Sequence, residues 1–177
     1  YNINMKIALC GHAYSGKSSI AQVLKDKYGF TILSFAEPIK QSNLIFDKLN
    51  LPKEPKASRR KVYQSLGNWA RNSLDKDIFI KKLEPKLGLY DKIVIDDLRF
   101  KNEYRFLKEN GFFIVKVETP WIILCERAGK EGENPVELFS DESELEIDLI
   151  KEFDLIVSGI VNPELSADLI ISKLEEK

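Results

Sequence analysis

Short apolar runs alternate with longer stretches of helical pattern along the chain. The runs with the length and apolar character of strands are residues 6–10, 31–35, 92–95, 112–117 and 155–157. The stretches between them are long enough to cross from one parallel strand to the next. The pattern therefore predicts an α/β fold in which helices cover both faces of a parallel sheet.

Ligands of open parallel sheets bind at the carboxyl ends of the strands. Three segments follow predicted strands and contain residues suited to chemistry: those beginning at Gly11, at Ala36 and at Asp96. We therefore expect the functional site at this edge of the sheet.

The first of these segments has the sequence Gly-His-Ala-Tyr-Ser-Gly-Lys-Ser and leads into a predicted helix over residues 18–28. This strand-loop-helix order is the context of a phosphate-binding loop. Gly11 and Gly16 allow backbone angles that turn successive N–H groups inward, and the positive end of the helix attracts phosphate oxygens. Lys17 is expected to reach the β- and γ-phosphates and Ser18 to hold Mg²⁺, so the sequence predicts binding of ATP or GTP.

His12 lies at a position of this loop where the motif accepts any residue, so we expect it to be a spectator and not a catalytic base. The residues expected to contact the triphosphate are Gly11, His12, Ala13, Tyr14, Ser15, Gly16, Lys17, Ser18 and Ser19.

The apolar run at residues 92–95 ends in two carboxylates, Asp96 and Asp97. In phosphate-loop enzymes an aspartate in this place binds the Mg²⁺ shell. Asp96 is the stronger candidate because it follows the apolar run directly. Acidic residues after a strand also cap helices or form turns, and Asp97 also suits a general base.

The segment over residues 57–74 predicts an amphipathic helix. At about 100° per residue, its core-facing stripe is predicted to be Val62, Leu66, Trp69 and Ser73. The opposite, polar stripe is Arg60, Gln64, Gly67 and Arg71. Guanidinium, amide and bare backbone suit the approach of an anionic ligand, although arginines on a helix are often only solvated. Tyr63 borders the polar stripe, and we expect it to touch a substrate base.

Structure is also predicted for three further stretches of the chain. Residues 41–49 are predicted to continue a helix, and residues 51–56 to form a loop. The charged, glycine-bearing segment around residues 127–140 predicts a mobile lid, with a plain surface loop as the alternative. Closure of that lid would carry Arg127 and Lys130 onto the phosphates.

Length and composition limit the classes of function. With 177 residues, of which 44% are apolar and 31% charged, the chain predicts one globular domain. Lysine and arginine (27) nearly balance aspartate and glutamate (28), so no overall field favours nucleic acid or a membrane. The single histidine argues against a zinc site, and Cys10 and Cys125 predict buried thiols in a reducing compartment. No apolar run approaches the length of a membrane helix and no signal-peptide pattern is present, so we expect a cytoplasmic protein.

Together these motifs resemble the phosphate-loop kinases of the deoxynucleoside monophosphate kinase family, commonly encountered in bacteriophages. The resemblance covers most of the chain and rests on residues 11–18, Ser34-Phe-Ala-Glu-Pro-Ile-Lys40, Tyr63-Gln64 with Gly67 and Arg71, Asp97-Leu-Arg-Phe-Lys-Asn-Glu103, and Glu142-Ser-Glu144. The run that begins at Asp97 is the most specific of these. By itself, the acidic segment at residues 142–144 indicates only a solvated helix start.

The resemblance implies a three-layer fold with a five-stranded parallel sheet in the order 2-3-1-4-5. It also implies transfer of the γ-phosphoryl group of ATP, with Mg²⁺, to the phosphate of a deoxynucleotide. The substrate-binding residues assigned in this way are Phe35, Ala36, Lys40, Arg60, Tyr63, Gln64, Gly67, Arg71 and Arg99. The catalytic cations are Lys17, Arg99, Arg127 and Lys130, and the metal ligands are Ser18, Asp96 and Asp97. Lys130 stands where the family often carries a second lid arginine.

Other functions stay open from the sequence alone. The animal type of phosphomevalonate kinase resembles the same core and also phosphorylates a phosphate, so only the acceptor distinguishes it. An ATP-dependent switch would need a residue that aligns water, and the sequence offers no strong candidate. Dephospho-CoA and shikimate kinases transfer to hydroxyl groups and need a carboxylate base. The predicted partner is a small-molecule nucleotide, with neither nucleic acid nor membrane, and a homodimer remains open.

Overall fold

The computed structural model describes residues 4–41, 47–50 and 56–176. Its centre is a five-stranded parallel sheet in the order β2-β3-β1-β4-β5, which confirms the order that the resemblance implied. The strands are β1 Met5–Cys10, β2 Thr31–Leu33, β3 Lys92–Leu98, β4 Phe113–Glu118 and β5 Leu155–Ser158. The helix predicted over residues 41–49 and the loop predicted over residues 51–56 lie largely outside the described residues.

Helices connect the strands and cover both faces of the sheet. They are α1 Lys17–Tyr28, α2 Glu37–Lys40, α3 Lys56–Ser73, α4 Ile78–Leu83, α5 Lys101–Glu109, α6 Trp121–Lys130, α7 Pro135–Phe139, α8 Glu142–Leu145 and α9 Pro163–Glu175. Short 3₁₀ turns follow α4 at Glu84–Lys86 and α8 at Glu146–Leu149. Within the described ranges, no helix combines the length and the apolar character needed to span a membrane.

The central strand β1 is buried on both faces, which explains its unbroken apolar run. Ala8 and Cys10 pack into the layer that contains α4 and α5, whereas Ile7 and Leu9 pack against α1 and α9. Burial raises the pKa of the Cys10 thiol to about 11. The sheet is therefore the middle layer of three, and its carboxyl edge is the surface on which a site can be built.

Two elements differ in extent from the prediction. β3 continues beyond residue 95 to Leu98, so Asp96 and Asp97 belong to its carboxyl-terminal part. α6 continues through Arg127 to Lys130, so the predicted lid over residues 127–140 contains the end of α6 and all of α7. Its mobility remains a prediction.

Candidate active site

A cleft of about 890 Å³ opens at the carboxyl edge of the sheet. Its floor is the loop between β1 and α1, and its walls come from α3, from the end of β3 and from the segment that follows β5. Residues that follow several parallel strands thus share one cavity, which is the usual place of a ligand in such a sheet.

The loop over residues 11–16 has the backbone of an anion-binding site. Gly11 has a φ of 155° and Gly16 a φ of 100°, values that a side chain disfavours. A Cβ on Gly11 would also lie 2.6 Å from the carbonyl oxygen of Val117, so only glycine fits there. No described side chain caps the start of α1, so its first N–H groups remain available to a phosphate.

Lys17 is buried at the centre of this loop. Its Nζ donates hydrogen bonds to the carbonyl oxygens of Gly11 and His12, each at 2.6 Å. Burial, and after it the nearby Arg99 guanidinium, lower the pKa of Lys17 to about 8. Two cations therefore lie close together at the floor of the cleft, and their field favours a polyanion.

A buried carboxylate, Glu144, lies behind the loop. Its Oε2 accepts a hydrogen bond from the Ala13 N–H at 2.9 Å and lies 3.2 Å from His12 Nδ1, while its Oε1 accepts from Arg99. Burial alone would raise the pKa of this carboxyl, but Arg99, His12 and the Ala13 N–H together hold it well below its usual range. The interpretation of residues 142–144 as a solvated helix start is therefore wrong for Glu144.

His12 points away from the cleft. Its Nε2 lies 3.1 Å from Asp148 Oδ1, and its ring packs edge-on against Trp121 and Phe139. His12 is absent from the described residues that line the cleft. The contact of His12 with a triphosphate stays a prediction, and it concerns the backbone of His12 and not its ring.

Asp96 lies on the cleft near the end of β3. Burial, and after it the neighbouring Asp97 carboxylate, raise the pKa of Asp96. Its Oδ1 is buried and has no hydrogen-bond partner among the described residues, a situation that a bound cation would relieve.

Carboxylate and hydroxyl oxygens are ligands that Mg²⁺ prefers, and Ser18 also lines the cleft. The described residues contain no cluster of three metal-ligating side chains. Mg²⁺ commonly keeps its waters and uses one or two protein ligands with substrate phosphates, so Asp96 and Ser18 fit such a site.

Asp97 also lines the cleft, but both of its carboxylate oxygens accept hydrogen bonds from the segment after β2, so its role as a metal ligand stays a prediction and Asp96 is the better candidate. Its Oδ2 accepts from the Ser34 hydroxyl at 2.5 Å and from the Ala36 N–H at 3.0 Å, and its Oδ1 accepts from the Phe35 N–H at 2.9 Å. Asp97 therefore shapes the connection between β2 and α2. That connection places Ala36 and Lys40 on the cleft. The Phe35 side chain is 1% exposed, belongs to the core and does not line the cleft.

Helix α3 turns its polar stripe to the cleft, but of the predicted core-facing stripe only Leu66 packs on the core, and Val62, Trp69 and Ser73 are exposed. Val62 is 40% exposed and Trp69 is 54% exposed. The α3 side chains on the cleft are Arg59, Arg60, Tyr63, Gln64, Asn68 and Arg71. Ala70, Leu66 and Tyr63 pack on the core. A helix that forms a cleft wall buries part of its polar side, so its apolar stripe is a poor guide to its orientation.

Arg71 is held by aromatic and acidic neighbours. The centre of its guanidinium lies 4.0 Å from the ring centroid of Phe100 and 4.5 Å from that of Phe79, and its Nη2 lies 3.4 Å from Glu103 Oε1. A Cβ on Gly67 would lie 3.1 Å from Arg71 Nη1, so glycine leaves space for this side chain. Burial raises the pKa of Glu103 to about 7, against the effect of Arg71.

Arg60 connects α3 to the segment before α7. Its Nε lies 2.7 Å from Glu133 Oε1, and its guanidinium lies 5.0 Å from the centre of the Tyr14 ring. The Tyr14 hydroxyl donates to the same Glu133 oxygen at 2.9 Å. Burial is the main cause that raises the pKa of Tyr14 to about 12. Arg60 is therefore paired in this structure and must leave Glu133 to bind a substrate phosphate.

The segment after β5 forms a part of the cleft that no sequence motif indicates. Arg127, at the end of α6, donates to the carbonyl oxygens of Tyr14 at 2.9 Å and Gly159 at 3.2 Å. Gly159 packs so closely on the phosphate loop that a Cβ there would lie 1.8 Å from the Ser15 carbonyl oxygen. From the end of β5 to the start of α9, the residues on the cleft are Ser158, Gly159, Val161 and Pro163. Residues at the carboxyl end of a parallel strand commonly line a ligand site, so their position after β5 is the sequence feature that indicates them.

Six more cleft residues were not predicted: Ile20, Ile39, Arg59, Asn68, Phe100 and Ser143. Conversely, Lys130 does not line the cleft in this structure, and its role as a catalytic lid cation stays a prediction that depends on closure of the lid. Its Nζ pairs with Glu126 at 2.6 Å and its side chain is 72% exposed. One turn of α6 separates the two predicted lid cations, so Arg127 faces the phosphate loop while Lys130 faces solvent.

Comparisons with known proteins identify relatives of this chain and of its fold. No family model matches the sequence. A protein of Acanthamoeba polyphaga mimivirus, named "Putative deoxynucleotide monophosphate kinase", is 30% identical over an alignment that covers 85% of this chain and 86% of that protein.

Solved structures show the fold. A gluconokinase from Sinorhizobium meliloti has a TM-score of 0.62 at 14% identity, with 99% of this chain and 94% of that chain covered. Shikimate kinase from Aquifex aeolicus has a TM-score of 0.57 at 20% identity, covering 97% of this chain and 96% of that chain. Deoxyadenosine kinase from M. mycoides, solved with bound dATP, has a TM-score of 0.54 at 16% identity, covering 97% of this chain and all of that chain.

These structural similarities establish the P-loop kinase fold and leave the substrate open, because gluconate, shikimate and nucleoside kinases share it. The mimivirus protein is a more specific guide to the family than the solved structures. Its sequence identity to this chain is higher, and the alignment extends over most of both chains. The chain therefore belongs to the deoxynucleotide monophosphate kinase family.

Proposed function

We propose that this kinase transfers the γ-phosphoryl group of ATP, bound with Mg²⁺, to the phosphate of a deoxynucleoside monophosphate and so forms the diphosphate. The observation that carries the proposal is that the phosphate loop and the arginines Arg71 and Arg99 line one cleft. At about 890 Å³, that cleft lies in the upper part of the usual range for ligand sites and has room for two substrates. The name of the mimivirus relative supports the same class of acceptor.

On the donor side, we assign the β- and γ-phosphates to the N–H groups of residues 13–18 and to Lys17. Ser18 and Asp96 would hold Mg²⁺, which when bound supplies positive charge to the phosphate oxygens. Arg127 and residues 159–163 lie on the same side of the phosphate loop and would contact the donor nucleoside.

On the acceptor side, we assign the phosphate to Arg71 and Arg99. The ring of Tyr63 offers a flat face to a base, and the Gln64 amide offers both a donor and an acceptor to the base edge. The substrate-binding residues in this proposal are Ala36, Lys40, Arg60, Tyr63, Gln64, Arg71 and Arg99. Gly67 contributes by leaving room for Arg71.

The chemistry needs alignment and charge neutralisation more than proton transfer. A nucleotide phosphate is already an anionic nucleophile at neutral pH, so no general base is required. The chain's one histidine points away from the cleft, and both oxygens of Asp97 are engaged with the segment after β2. These features favour a phosphate acceptor over a hydroxyl acceptor, which needs a base.

An acceptor panel tests the proposal. The purified protein is incubated with ATP and Mg²⁺ and with dAMP, dCMP, dGMP, dTMP, the matching ribonucleotides, 5-phosphomevalonate or no acceptor, and the products are separated and quantified. We expect equimolar ADP and deoxynucleoside diphosphate with at least one deoxynucleotide. Turnover of 5-phosphomevalonate alone would replace the proposal by phosphomevalonate kinase activity. ADP formation at the same rate without any acceptor would replace it by an ATP-dependent switch.

A further inference from the structure

Helix α8 is a single turn whose start is fixed by its own sequence. The Asp141 carboxylate accepts hydrogen bonds from the Ser143 N–H at 2.9 Å and the Ser143 hydroxyl at 2.6 Å, which caps the helix. The next residue, Glu144, is thereby directed inward and its side chain is fully buried. One carboxylate of this short acidic segment, that of Glu144, therefore lies inside the protein.

The two oxygens of Glu144 face different parts of the cleft floor. Oε2 accepts from the Ala13 N–H at 2.9 Å and lies 3.2 Å from His12 Nδ1, so it holds the phosphate loop. Oε1 accepts from the Arg99 guanidinium, which follows β3. Because a carboxylate is rigid and planar, these contacts fix the distance from the loop to Arg99.

Glu144 does not line the cleft, so it is not placed to touch a substrate. Its neighbours Ala13 and Arg99 both do. A fully buried charge is costly unless it is paired and hydrogen-bonded, and both conditions are met here by groups that belong to the site. The arrangement is therefore one in which a residue behind the site connects the donor side to the acceptor side.

We propose that Glu144 is a positioning residue that sets Arg99 against the phosphate loop, and so aligns the acceptor phosphate with the γ-phosphate. The inference rests on the proposed function for the identity of the two anions. It goes beyond that function by assigning a role in the transfer to a carboxylate that contacts neither substrate.

The substitution Glu144→Gln separates the two contacts of this side chain. The amide oxygen can still accept from the Ala13 N–H, but the amide NH₂ then faces Arg99, donor against donor. We expect kcat to fall by about 10²-fold, the effect of a displacement of about 1 Å in a reacting arrangement, while the affinity for ATP and Mg²⁺ stays near the wild-type value. Asp148→Asn is the matched control, because Asp148 is exposed and contacts only the outer nitrogen of His12 among the described residues. It should leave kcat unchanged.

A double-mutant cycle with Arg99→Ala tests whether Glu144 acts through Arg99. If it does, kcat of the double variant should equal that of Arg99→Ala within a few-fold, because the second change removes nothing further. Multiplicative losses would show that the two residues act separately and would overturn the proposal. If Glu144→Gln fails to fold, Glu144→Asp takes its place in the cycle, with the same two outcomes.

A readout without turnover separates this inference from the proposed function. The ¹⁵N NMR signals of the Arg99 guanidinium, assigned by their loss in Arg99→Ala, report whether this group is fixed by its contacts or rotates freely. We expect a held guanidinium in the wild type and in Asp148→Asn, and a freely rotating one in Glu144→Gln. A guanidinium held equally in Glu144→Gln would contradict the positioning role. Absence of transfer to every deoxynucleotide by the wild type would instead contradict the proposed function.

Discussion

Gly159 offers a sharp test of how the segment after β5 supports the phosphate loop. In Gly159→Ala, the new Cβ would lie 1.8 Å from the Ser15 carbonyl oxygen and 2.3 Å from Thr119 Oγ1. Real Cβ contacts essentially never fall under 3.0 Å, so the two segments must separate by about 1.2 Å. A displacement of about 1 Å in a reacting arrangement costs about 10²-fold in rate, and overpacking of this kind destabilises by about 1–3 kcal/mol.

Steady-state kinetics and thermal unfolding of Gly159→Ala measure both effects. We expect kcat/KM for ATP to fall by about 10²-fold, because the phosphate loop and the Arg127 contact to Gly159 both shift. Gly129→Ala is the matched control, since a Cβ there meets no described atom within 4 Å. Wild-type kinetics and stability in Gly159→Ala would refute the idea that this segment is fixed against the loop.

Three further changes follow from the geometry of the cleft. Lys17→Ala should lower kcat by about 10²–10³-fold, because it removes a group that stabilises developing phosphate charge. Lys130→Ala, which changes an exposed lysine, should match the wild type. Equal losses in both variants would contradict the assignment of Lys17. Arg71→Ala should raise the acceptor KM by about 10-fold or more, the worth of a hydrogen bond to a charged group, and an effect on ATP alone would move Arg71 to the donor side. Glu103 has a folded-state pKa of about 7 against an ordinary 4.5, so its contribution to stability is fully present below pH 4.5 and is lost as the pH rises through 7. That loss amounts to about 3 kcal/mol of the free energy of unfolding. Urea unfolding at several pH values should therefore show a smaller fall in the free energy of unfolding across this pH range for Glu103→Gln than for the wild type. An equal fall in both proteins would contradict the raised pKa of Glu103.

The parts of the fold that local pattern controls were predictable from the sequence. Each strand is a short apolar run, and the phosphate loop is defined by Gly11, Gly16 and Lys17 within one strand-loop-helix unit. The order of the strands required the resemblance to a family, since periodicity alone does not say which strands pair.

Contacts between distant segments escaped prediction. Glu144 lies in an acidic stretch typical of a solvated surface, and its partners Ala13 and Arg99 are 131 and 45 residues away in the chain. The place of Asp97 at a strand end predicts a metal ligand, but its hydrogen-bond partners lie on the connection after β2, more than 60 residues earlier in the chain.

Helix α3 shows a different limit. Its apolar stripe predicts that Val62 and Trp69 face the core, since burial commonly follows hydrophobicity, but both are exposed. The polar side of α3 instead faces the cleft, and Arg71 on that side is desolvated between the rings of Phe79 and Phe100. A ligand-binding helix thus departs from the simple rule because its buried face is built to meet a charged substrate.

The most direct test of the account is a crystal structure with a bisubstrate analogue in which adenosine and a deoxynucleoside are joined by five phosphates. We predict that its adenosine phosphates lie in the loop over residues 11–18, and that the phosphate next to the deoxynucleoside contacts Arg71 and Arg99. An analogue bound outside this cleft, or with its deoxynucleoside end away from α3, would contradict the central claim that one cleft aligns two nucleotides for phosphoryl transfer.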